Sequence, residues 1–396
     1  MYLTLDKVKL KNCRVLVRPD FNCPVNEKTK KIEDYNRIKE HTKTIKELIR
    51  KKAKIVIIAH QGRKNDKDFT NLKQHSLILS KLIKQKVKFV NDVIGKKALK
   101  EINSLKNGEV LLLDNVRALK EENLKSDKPE NSKIVKILSP LFDYFVFDAL
   151  SVAHRNAPSV TGFGKTMQII VGKVLEEELK NLKRIEKPKK PYIFILGGAK
   201  SDDCFNLIKK RIDKVDFVLC SGRIAELFLI AKGYNLGKRQ KELGRLEEYK
   251  LIKDLKKFVN NKKILLPLDY GIKIKNKRKE IFINELPTDY EILDIGKKTI
   301  NEYKKIIKKA RTIYFKGPPG FYDKKYFDLG TKEVLRAIAK SKGFSIVGGG
   351  HTLDAVDRFI KRNKIDYISL SGGALLSFIA GEKLPGLEML KKRKNE

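Results

Sequence analysis

The chain has 396 residues, of which 41% are hydrophobic, so it can bury substantial cores and is not expected to be globally disordered. Its length favours two domains. Lysine and arginine number 88 against 48 aspartate and glutamate residues, a net charge of +40, and the four cysteines form no CxxC pair, which argues against a zinc ribbon and a disulfide scaffold.

The positive charge favours anionic partners, but the lysines are spread along the whole chain and are not interleaved with aromatic residues. We therefore expect a solvated basic surface, with at most non-specific contact with nucleic acid. No apolar run approaches the roughly 18 residues that a membrane span needs, and residues 1–12 lack the pattern of a signal peptide. These features predict a cytoplasmic protein without a membrane partner, and we expect a monomer.

Short β-branched runs alternate with longer, lysine-rich amphipathic stretches. In chain order, the predicted strands are RVLVRPD, KIVIIAH, VLLLDN and YFVFDA in the first half, then YIFILGG, DFVLCSG, KILLPLD, TIYFKG, FSIVGGG and YISLSGG in the second. Nearly continuous apolar strands separated by helices are typical of parallel sheets that are covered on both faces. The sequence therefore predicts an α/β fold with two doubly wound, Rossmann-like domains.

The predicted domains are separated by a single helix. Residues 1–165 form the N-terminal domain, and residues 166–186, TMQIIVGKVLEEELKNLKRIE, are predicted to be an interdomain helix because their apolar residues follow helical spacing. Residues 187–375 form the C-terminal domain. Residues 376–396 are too short for a domain, and we expect them to dock back on the N-terminal domain.

In the first half, cations and hydrogen-bonding side chains follow the predicted strands. They are Asp20, Asn22, Arg37, His60, Arg63, Arg117, His154 and Arg155. Ligands of open α/β sheets bind at the carboxyl ends of the strands, and guanidinium groups match the geometry of phosphate and carboxylate. Each arginine taken alone also fits a surface ion pair. Their recurrence at successive strand ends predicts a site for a small, multiply charged anion.

In the second half, glycine follows the predicted strands. The glycine turns are GGAK at 197–200, SGR at 221–223, GPPG at 317–320, GGGHT at 348–352 and SGG at 371–373. Glycine lets the backbone approach a ligand closely, and repeated glycine turns beside helix starts predict a site for nucleotide phosphates. At this point His351 fits a metal ligand, a general base, a phosphate partner or a packing residue, while Thr352 fits an N-cap.

Nine motifs follow one another from residue 10 to about 390. They are VRPDFNCPV, AHQGR, LLLDNVR, FDALSVAHR, LGGAK, LDIGKKT, KGPPGFYD, VGGGHT and SGGALLSFIAGEKLPGLEML. In order and spacing they resemble the phosphoglycerate kinase family, and GGGHT looks like its archaeal branch. The resemblance implies direct transfer of a phosphoryl group between 1,3-bisphosphoglycerate and ADP, giving 3-phosphoglycerate and ATP, with hinge closure of two domains.

The resemblance also implies the residues of the site. The substrate-binding residues would be Asp20, Phe21, Asn22, Arg37, His60, Gln61, Gly62, Arg63, Arg117 and Arg155. The nucleotide-binding residues would be Gly198, Lys200, Pro318, Asp323, Gly348, Gly349, Gly350, His351, Thr352, Gly372 and Gly373. Arg37 and Lys200 would be catalytic, by neutralising charge on the migrating phosphoryl group. Magnesium would be held chiefly by the nucleotide, with no metal ligand from the protein.

The nucleotide side departs from the family pattern. Cys204 stands where many members have a second phosphate-binding lysine, and Lys316 and Pro319 replace the asparagine and methionine of WNGPMG. His351 replaces the aspartate of GGGD, and Ser371 replaces a glycine. Direct transfer needs no base, so we interpret His351 as a partner of a phosphate or of a metal-bound water. The alternatives are a divergent paralogue with another donor or weak turnover, and a polyanion-binding protein on the same scaffold.

Overall fold

The computed structural model describes residues 2–124 and 126–391, which form two compact units. The first unit extends to Leu182 and resumes at Lys383, and the second covers Lys183–Glu382. Each unit is built around a six-stranded parallel sheet. Within the described ranges, no helix combines the length and the apolar character that crossing a membrane requires.

The sheet of the first unit has the strand order β3-β4-β2-β1-β5-β6. Its strands are β1 (Arg14–Arg18), β2 (Lys54–Ile57), β3 (Val87–Phe89), β4 (Val110–Leu112), β5 (Tyr144–Phe147) and β6 (Gln168–Val171). The helices are α1 (Asn36–Arg50), α2 (Lys73–Ile83), α3 (Lys96–Ser104), α4 (Lys133–Leu138), α5 (Phe163–Thr166) and α6 (Lys173–Glu186). The boundary between the two units falls within α6.

Helix α1 packs on this sheet through one buried stripe. The stripe consists of Ile38, His41, Thr44, Ile45 and Leu48, which recur at the spacing of three and four residues that places side chains on one face of a helix. The apolar members join the core formed by the strands. The two polar members are buried as well, so each needs hydrogen-bond partners inside the unit.

The predicted helix over residues 166–186 is wrong in its first part. Residues Gln168–Val171 form β6, which pairs with β5, and α6 begins only at Lys173. Short apolar runs such as QIIV fit a strand or a helix equally well by periodicity. Gly172 separates the two elements, and a Cβ at this position would collide with the carboxylate of Asp148.

The second unit contains a parallel sheet with the order β15-β14-β13-β7-β8-β9 and a three-stranded antiparallel sheet with the order β11-β10-β12. The strands are β7 (Tyr192–Leu196), β8 (Phe217–Cys220), β9 (Ile264–Leu265), β10 (Asp269–Ile274), β11 (Lys277–Phe282), β12 (Glu291–Ile295), β13 (Thr312–Lys316), β14 (Phe344–Gly348) and β15 (Tyr367–Ser369). The helices are α7 (Ser201–Arg211), α8 (Gly222–Ala231), α9 (Lys238–Leu243), α10 (Ile252–Leu255), α11 (Lys297–Lys309), α12 (Leu329–Lys340), α13 (Gly350–Phe359) and α14 (Gly372–Ile379).

The two parallel sheets confirm the predicted fold class, whereas the antiparallel sheet was not predicted. Its hairpin, β10 and β11, carries many lysines that hide the alternation of a strand, and it turns at Lys275 and Asn276, both with positive φ. The apolar face of this sheet, including Ile272 and Ile292, packs against residues that follow β8, such as Leu229.

The chain returns to the first unit near its end. Residues up to Glu382, including α14, belong to the second unit. In the first unit, the backbone N–H of Gly386, in α15 (Pro385–Glu388), donates to the carbonyl of Ala153 at 2.8 Å. Of the segment predicted to dock, 376–396, the last five residues lie outside the described ranges.

Tyr303 ties α11 to two strands of the second unit. Its hydroxyl lies 2.6 Å from the carbonyl oxygen of Cys220 and 3.0 Å from that of Leu265, and the residue is 2% exposed. We expect Tyr303→Phe to lower the free energy of unfolding by about 1–3 kcal/mol, because buried carbonyl oxygens lose their donor. Urea unfolding measures this change. The matched control is Tyr290→Phe, where the side chain is 47% exposed. Equal loss in both variants would contradict the assignment.

Candidate active site

The cations predicted at strand ends of the first unit follow one another along one edge of the sheet. Strands β4, β2, β1 and β5 are neighbours in that sheet. Arg117 follows β4, His60 and Arg63 follow β2, and Arg155 follows β5. Because the strands are parallel, their carboxyl ends share one edge, and α1 adds Arg37 from its first turn.

The loops after β1 and β2 are tied to each other by neutral groups. The backbone N–H of Gly62 donates to Oδ1 of Asn22 at 2.8 Å, and Arg117 donates through Nη1 to the carbonyl of Gly62. Oε1 of Gln61 accepts from the backbone N–H of Cys23 at 2.8 Å, while its amide nitrogen donates to the Cys23 carbonyl at 2.9 Å. These contacts fix the two loops as one surface.

Five of the predicted substrate-binding residues have buried side chains, namely Asp20, Phe21, His60, Gln61 and Arg117. Phe21 and Gln61 are both 0% exposed, and the Gln61 amide is bonded to backbone groups. A residue that is 0% exposed offers no surface to a ligand, so Phe21 and Gln61 shape the loops from within. Asp20, by contrast, forms an ion pair with Arg37 through Oδ2.

Sequence reasoning missed a buried polar network behind these loops. Arg18, at the end of β1, is 1% exposed and donates through Nη2 to Nδ1 of His60 at 3.1 Å and through Nε to Oγ of Ser159 at 3.1 Å. Oγ of Ser159 donates in turn to Glu122 at 2.6 Å. The sequence feature that could have revealed this network is Arg18, a charged residue that follows the apolar run VLV in the motif VRPD.

The network sets the protonation state of His60. An arginine can only donate, so Nδ1 of His60 is an acceptor and the ring proton lies on Nε2. Burial, with Arg18 and Arg117 nearby, holds the pKa of His60 well below its usual value. Burial raises the pKa of Glu122, although Arg18 opposes this shift. His60 is thus a neutral donor next to a group of cations.

The guanidinium groups of this site repel one another. Burial and the neighbouring Arg155 lower the pKa of Arg117 to about 10, and burial together with Arg63 lowers the pKa of Arg155. Among the described residues, Arg63, Arg117 and Arg155 have no acidic partner within 4.0 Å. Cations that are close, partly buried and unpaired in this way bind a multiply charged anion strongly.

The second unit contains a cavity of about 500 Å³ near the carboxyl ends of β7, β8 and β13. It is lined by Gly198, Ala199, Gly222, Arg223, Glu226, Arg239, Tyr270, Ile292, Leu293, Asp294, Pro318, Pro319, Gly320, Phe321, Tyr322, Asp323, His351 and Asp354. This volume and the mostly apolar and backbone walls suit a heterocyclic base with its sugar. Sequence reasoning had placed only Gly198, Pro318, Asp323 and His351 here. We name this space the base cavity.

Two polar atoms at the base cavity are buried without partners. They are Nε of Arg223 and the hydroxyl of Tyr270. By contrast, Glu226 is held by Arg239, which donates to both carboxylate oxygens at 3.0 Å. Buried polar groups in proteins nearly always have partners, so these two are candidates to bind polar atoms of a ligand.

The remaining predicted nucleotide residues lie at helix starts. Gly348 ends β14, Gly349 has a φ of 100°, and Gly350 begins α13. Gly372 begins α14, and a Cβ at Gly350, Gly372 or Gly373 would meet only open space. The exposed N–H groups of such helix starts suit anions. Lys200, at the start of α7, is exposed.

The prediction of Thr352 as an N-cap is wrong. Helix α13 already begins at Gly350, so Thr352 lies in its first turn. Its hydroxyl instead accepts a hydrogen bond from the backbone N–H of Gly317 at 2.9 Å, which ties the helix start to the loop after β13. The glycines that precede Thr352 leave the chain free to enter the helix earlier than the threonine suggests.

Lys316, one of the departures from the motif pattern, lies near another, Cys204. It ends β13, its side chain is 13% exposed, and its ammonium lies 3.1 Å from Oδ2 of Asp203 in the first turn of α7. Cys204, the next residue, is buried, and burial raises the pKa of its thiol to about 11 although Lys316 opposes this shift. Lys316 is therefore the charged group that stands beside the neutral Cys204.

A family model described as phosphoglycerate kinase matches residues 5–382. The phosphoglycerate kinase of Methanococcus maripaludis is 41% identical, over 99% of this chain and 98% of that protein. That of Sulfolobus acidocaldarius is 40% identical, over 98% of this chain and 95% of that protein.

Solved structures match as well. The crystal structure of phosphoglycerate kinase from Pyrococcus horikoshii OT3 has a TM-score of 0.88 at 35% identity and covers 98% of both chains. The structure from Coxiella burnetii has a TM-score of 0.85 at 30% identity and covers 100% of both. These matches confirm the predicted enzyme class, a phosphotransferase, and favour neither alternative. The chain belongs to the phosphoglycerate kinase family.

Proposed function

We propose that this chain transfers a phosphoryl group directly and reversibly between 1,3-bisphosphoglycerate and ADP, giving 3-phosphoglycerate and ATP. The observation that carries the proposal is the set of guanidinium groups at the strand ends of the first unit that have no acidic partner among the described residues. A small molecule with a phosphate at one end and a carboxylate or acyl phosphate at the other matches these charges.

In the first unit, Arg63, Arg117 and Arg155 bind the phosphate of the glycerate through their guanidinium forks, and Nε2–H of His60 donates to the same ligand. Arg37, oriented by Asp20, lies at the other end of the ligand and neutralises charge on the migrating phosphoryl group. Asn22 keeps the loops together through its contact with Gly62.

In the second unit, the base and ribose of the nucleotide occupy the base cavity. Arg223 Nε and the Tyr270 hydroxyl supply polar contacts there, and Asp323 binds the ribose hydroxyls. The phosphates extend toward the N–H groups at the starts of α13 and α14, where Gly349, Gly350, Gly372 and Gly373 leave room for them. His351 and Lys200 lie beside this path.

The reaction requires little covalent help from the protein. An oxygen of the ADP β-phosphate attacks the phosphorus of the acyl phosphate, and the bond from phosphorus to the carboxyl oxygen breaks, so no proton moves and no base is needed. Catalysis then depends on positioning and on cations that neutralise charge in the transition state, here Arg37 and Lys200.

We propose that magnesium enters with the nucleotide. Within the described residues, no group of three or more His, Cys, Asp or Glu side chains could hold a metal. Magnesium often keeps several waters and binds through substrate phosphates and one or two carboxylates. Asp354, which lines the base cavity, fits such a limited share, and bound magnesium would supply charge neutralisation at the phosphates. The cytoplasmic location, the monomeric state and hinge closure remain predictions.

The first test is Arg37→Ala in an assay that couples ATP formation from ADP and 1,3-bisphosphoglycerate to a second enzyme. We expect turnover to fall by about 10²–10³, the usual cost of removing a group that stabilises transition-state charge. The matched control is Arg50→Ala on the same helix, where the side chain is 71% exposed. A wild-type protein no faster than Arg37→Ala would refute the proposed function.

The second test concerns Lys316. If its ammonium leaves Asp203 for a nucleotide phosphate, Lys316→Gln should raise the KM for ATP and lower kcat, together by about tenfold in kcat/KM. Lys209→Gln, on the exposed part of α7, is the matched control.

A second substitution makes the test of Lys316 sharper. Adding Cys204→Lys to Lys316→Gln returns a cation to the start of α7, next to Asp203, and we expect it to restore at least part of the lost kcat/KM. Lys316→Gln with unchanged kinetics would show that Lys316 only pairs with Asp203.

A further inference from the structure

His41 is buried on α1, one turn after Arg37, and both of its ring nitrogens have partners. Nδ1 lies 2.9 Å from Oδ2 of Asp148, and the backbone N–H of Asp20 donates to Nε2 at 3.1 Å. A backbone N–H can only donate, so Nε2 is the acceptor and the ring proton lies on Nδ1, facing the carboxylate. His41 is thus held as a neutral imidazole in one tautomer.

The carboxylate that orients His41 is itself fixed. Asp148 follows β5 and is 1% exposed. Its Oδ2 also accepts from the hydroxyl of Thr44 at 2.6 Å, and its Oδ1 accepts from the backbone N–H of Leu175, in the first turn of α6, at 3.0 Å. Gly172 packs so closely against Asp148 that a Cβ would collide with it. The His41 ring therefore cannot turn without breaking these contacts.

Two residues on the same face of α1, Arg37 and His41, each contact Asp20. His41 accepts from the Asp20 backbone, and Arg37, four residues earlier on the helix, pairs with the Asp20 carboxylate. The other carboxylate oxygen accepts from the backbone N–H of Asn22 at 3.0 Å. Asp20 is 4% exposed, so its N–H would have no water to replace His41. His41 therefore fixes the backbone position from which the Asp20 carboxylate reaches Arg37.

We propose that His41 is a positioning residue: it holds the backbone of Asp20 so that the Asp20 carboxylate aims the guanidinium of Arg37 at the carboxyl or acyl phosphate end of the glycerate substrate. The inference rests on the proposed role of Arg37. His41 touches no substrate in this scheme and acts entirely through Asp20. None of the motifs that carry the family resemblance contains it.

The test compares three variants of the full chain by calorimetric titration with 3-phosphoglycerate and by steady-state kinetics. His41→Met removes both ring contacts, and His41→Gln has the same length but keeps an amide oxygen that can accept from Asp20. Ile45→Val removes a buried methyl group from the same helix face and leaves the hydrogen bonds of His41, Asp148 and Asp20 untouched. Should His41→Met not fold, His41→Asn replaces it, because its amide is too short to reach Asp20.

We expect His41→Met to weaken 3-phosphoglycerate binding and lower kcat, each by about tenfold, the effect of a buried N–H that loses its acceptor. The KM for ATP should not change. His41→Gln should recover most of the loss, and Ile45→Val should lose thermal stability while binding 3-phosphoglycerate within about twofold of the wild type.

Three results would overturn the inference. One is tight 3-phosphoglycerate binding by His41→Met, and another is an equal loss in Ile45→Val, since either would leave His41 a purely structural residue. The third is a wild-type chain that binds no 3-phosphoglycerate. That result alone would refute the proposed function as well, so the two failures are distinguishable.

Discussion

Repulsion among guanidinium groups is the interaction around which the first unit is arranged. Electrostatic repulsion acts among Arg18, Arg63, Arg117 and Arg155. Burial and this repulsion together lower the pKa of Arg117 to about 10. A fold that concentrates like charges at one sheet edge loses stability there, and an anionic ligand restores it. The repulsion among the guanidinium groups therefore contributes to the affinity of the site for an anionic ligand.

The need to keep these arginines unpaired also explains why uncharged amide groups connect the loops. Asn22, Gln61 and Asn115 connect the strand ends through amide groups, as in the 2.7 Å bond from the Asn115 amide to the Gln61 carbonyl. Carboxylates in these places could not donate the hydrogen bonds that the Gln61 and Asn115 amides give to backbone carbonyls, and they would also pair with the arginines and neutralise them. Asp20 and Glu122 are already engaged, Asp20 with Arg37 and Glu122 with Ser159.

Features that a local sequence pattern encodes could be predicted, whereas features that depend on contacts between distant residues could not. Apolar strands and the residues just after them are local patterns, so the parallel sheets and the row of cations after β1, β2, β4 and β5 were predictable. Arg18, Glu122 and Ser159 come together only through folding, from positions up to 141 residues apart, and no local pattern marks them as one network. Arg239, in α9, and Tyr270, in β10, likewise come together at the base cavity only through folding, and the antiparallel sheet that carries Tyr270 was not recognisable.

The two units neutralise the negative charge of their proposed ligands in different ways. On the proposed mechanism the glycerate brings no counterion, so the first unit must supply its own cations and hold them apart by rigid contacts. The nucleotide arrives with magnesium, so the second unit needs fewer fixed charges: Lys316 is paired with Asp203, and helix starts offer N–H groups instead. Cys204 is a buried thiol at a position where many members of the family have a lysine. Because magnesium supplies part of the positive charge, the site can tolerate the missing lysine, provided that one nearby cation such as Lys316 remains. The departures that the sequence motifs indicate, among them Cys204 and Lys316, therefore lie in the second unit, where the proposed ligand carries part of the neutralising charge.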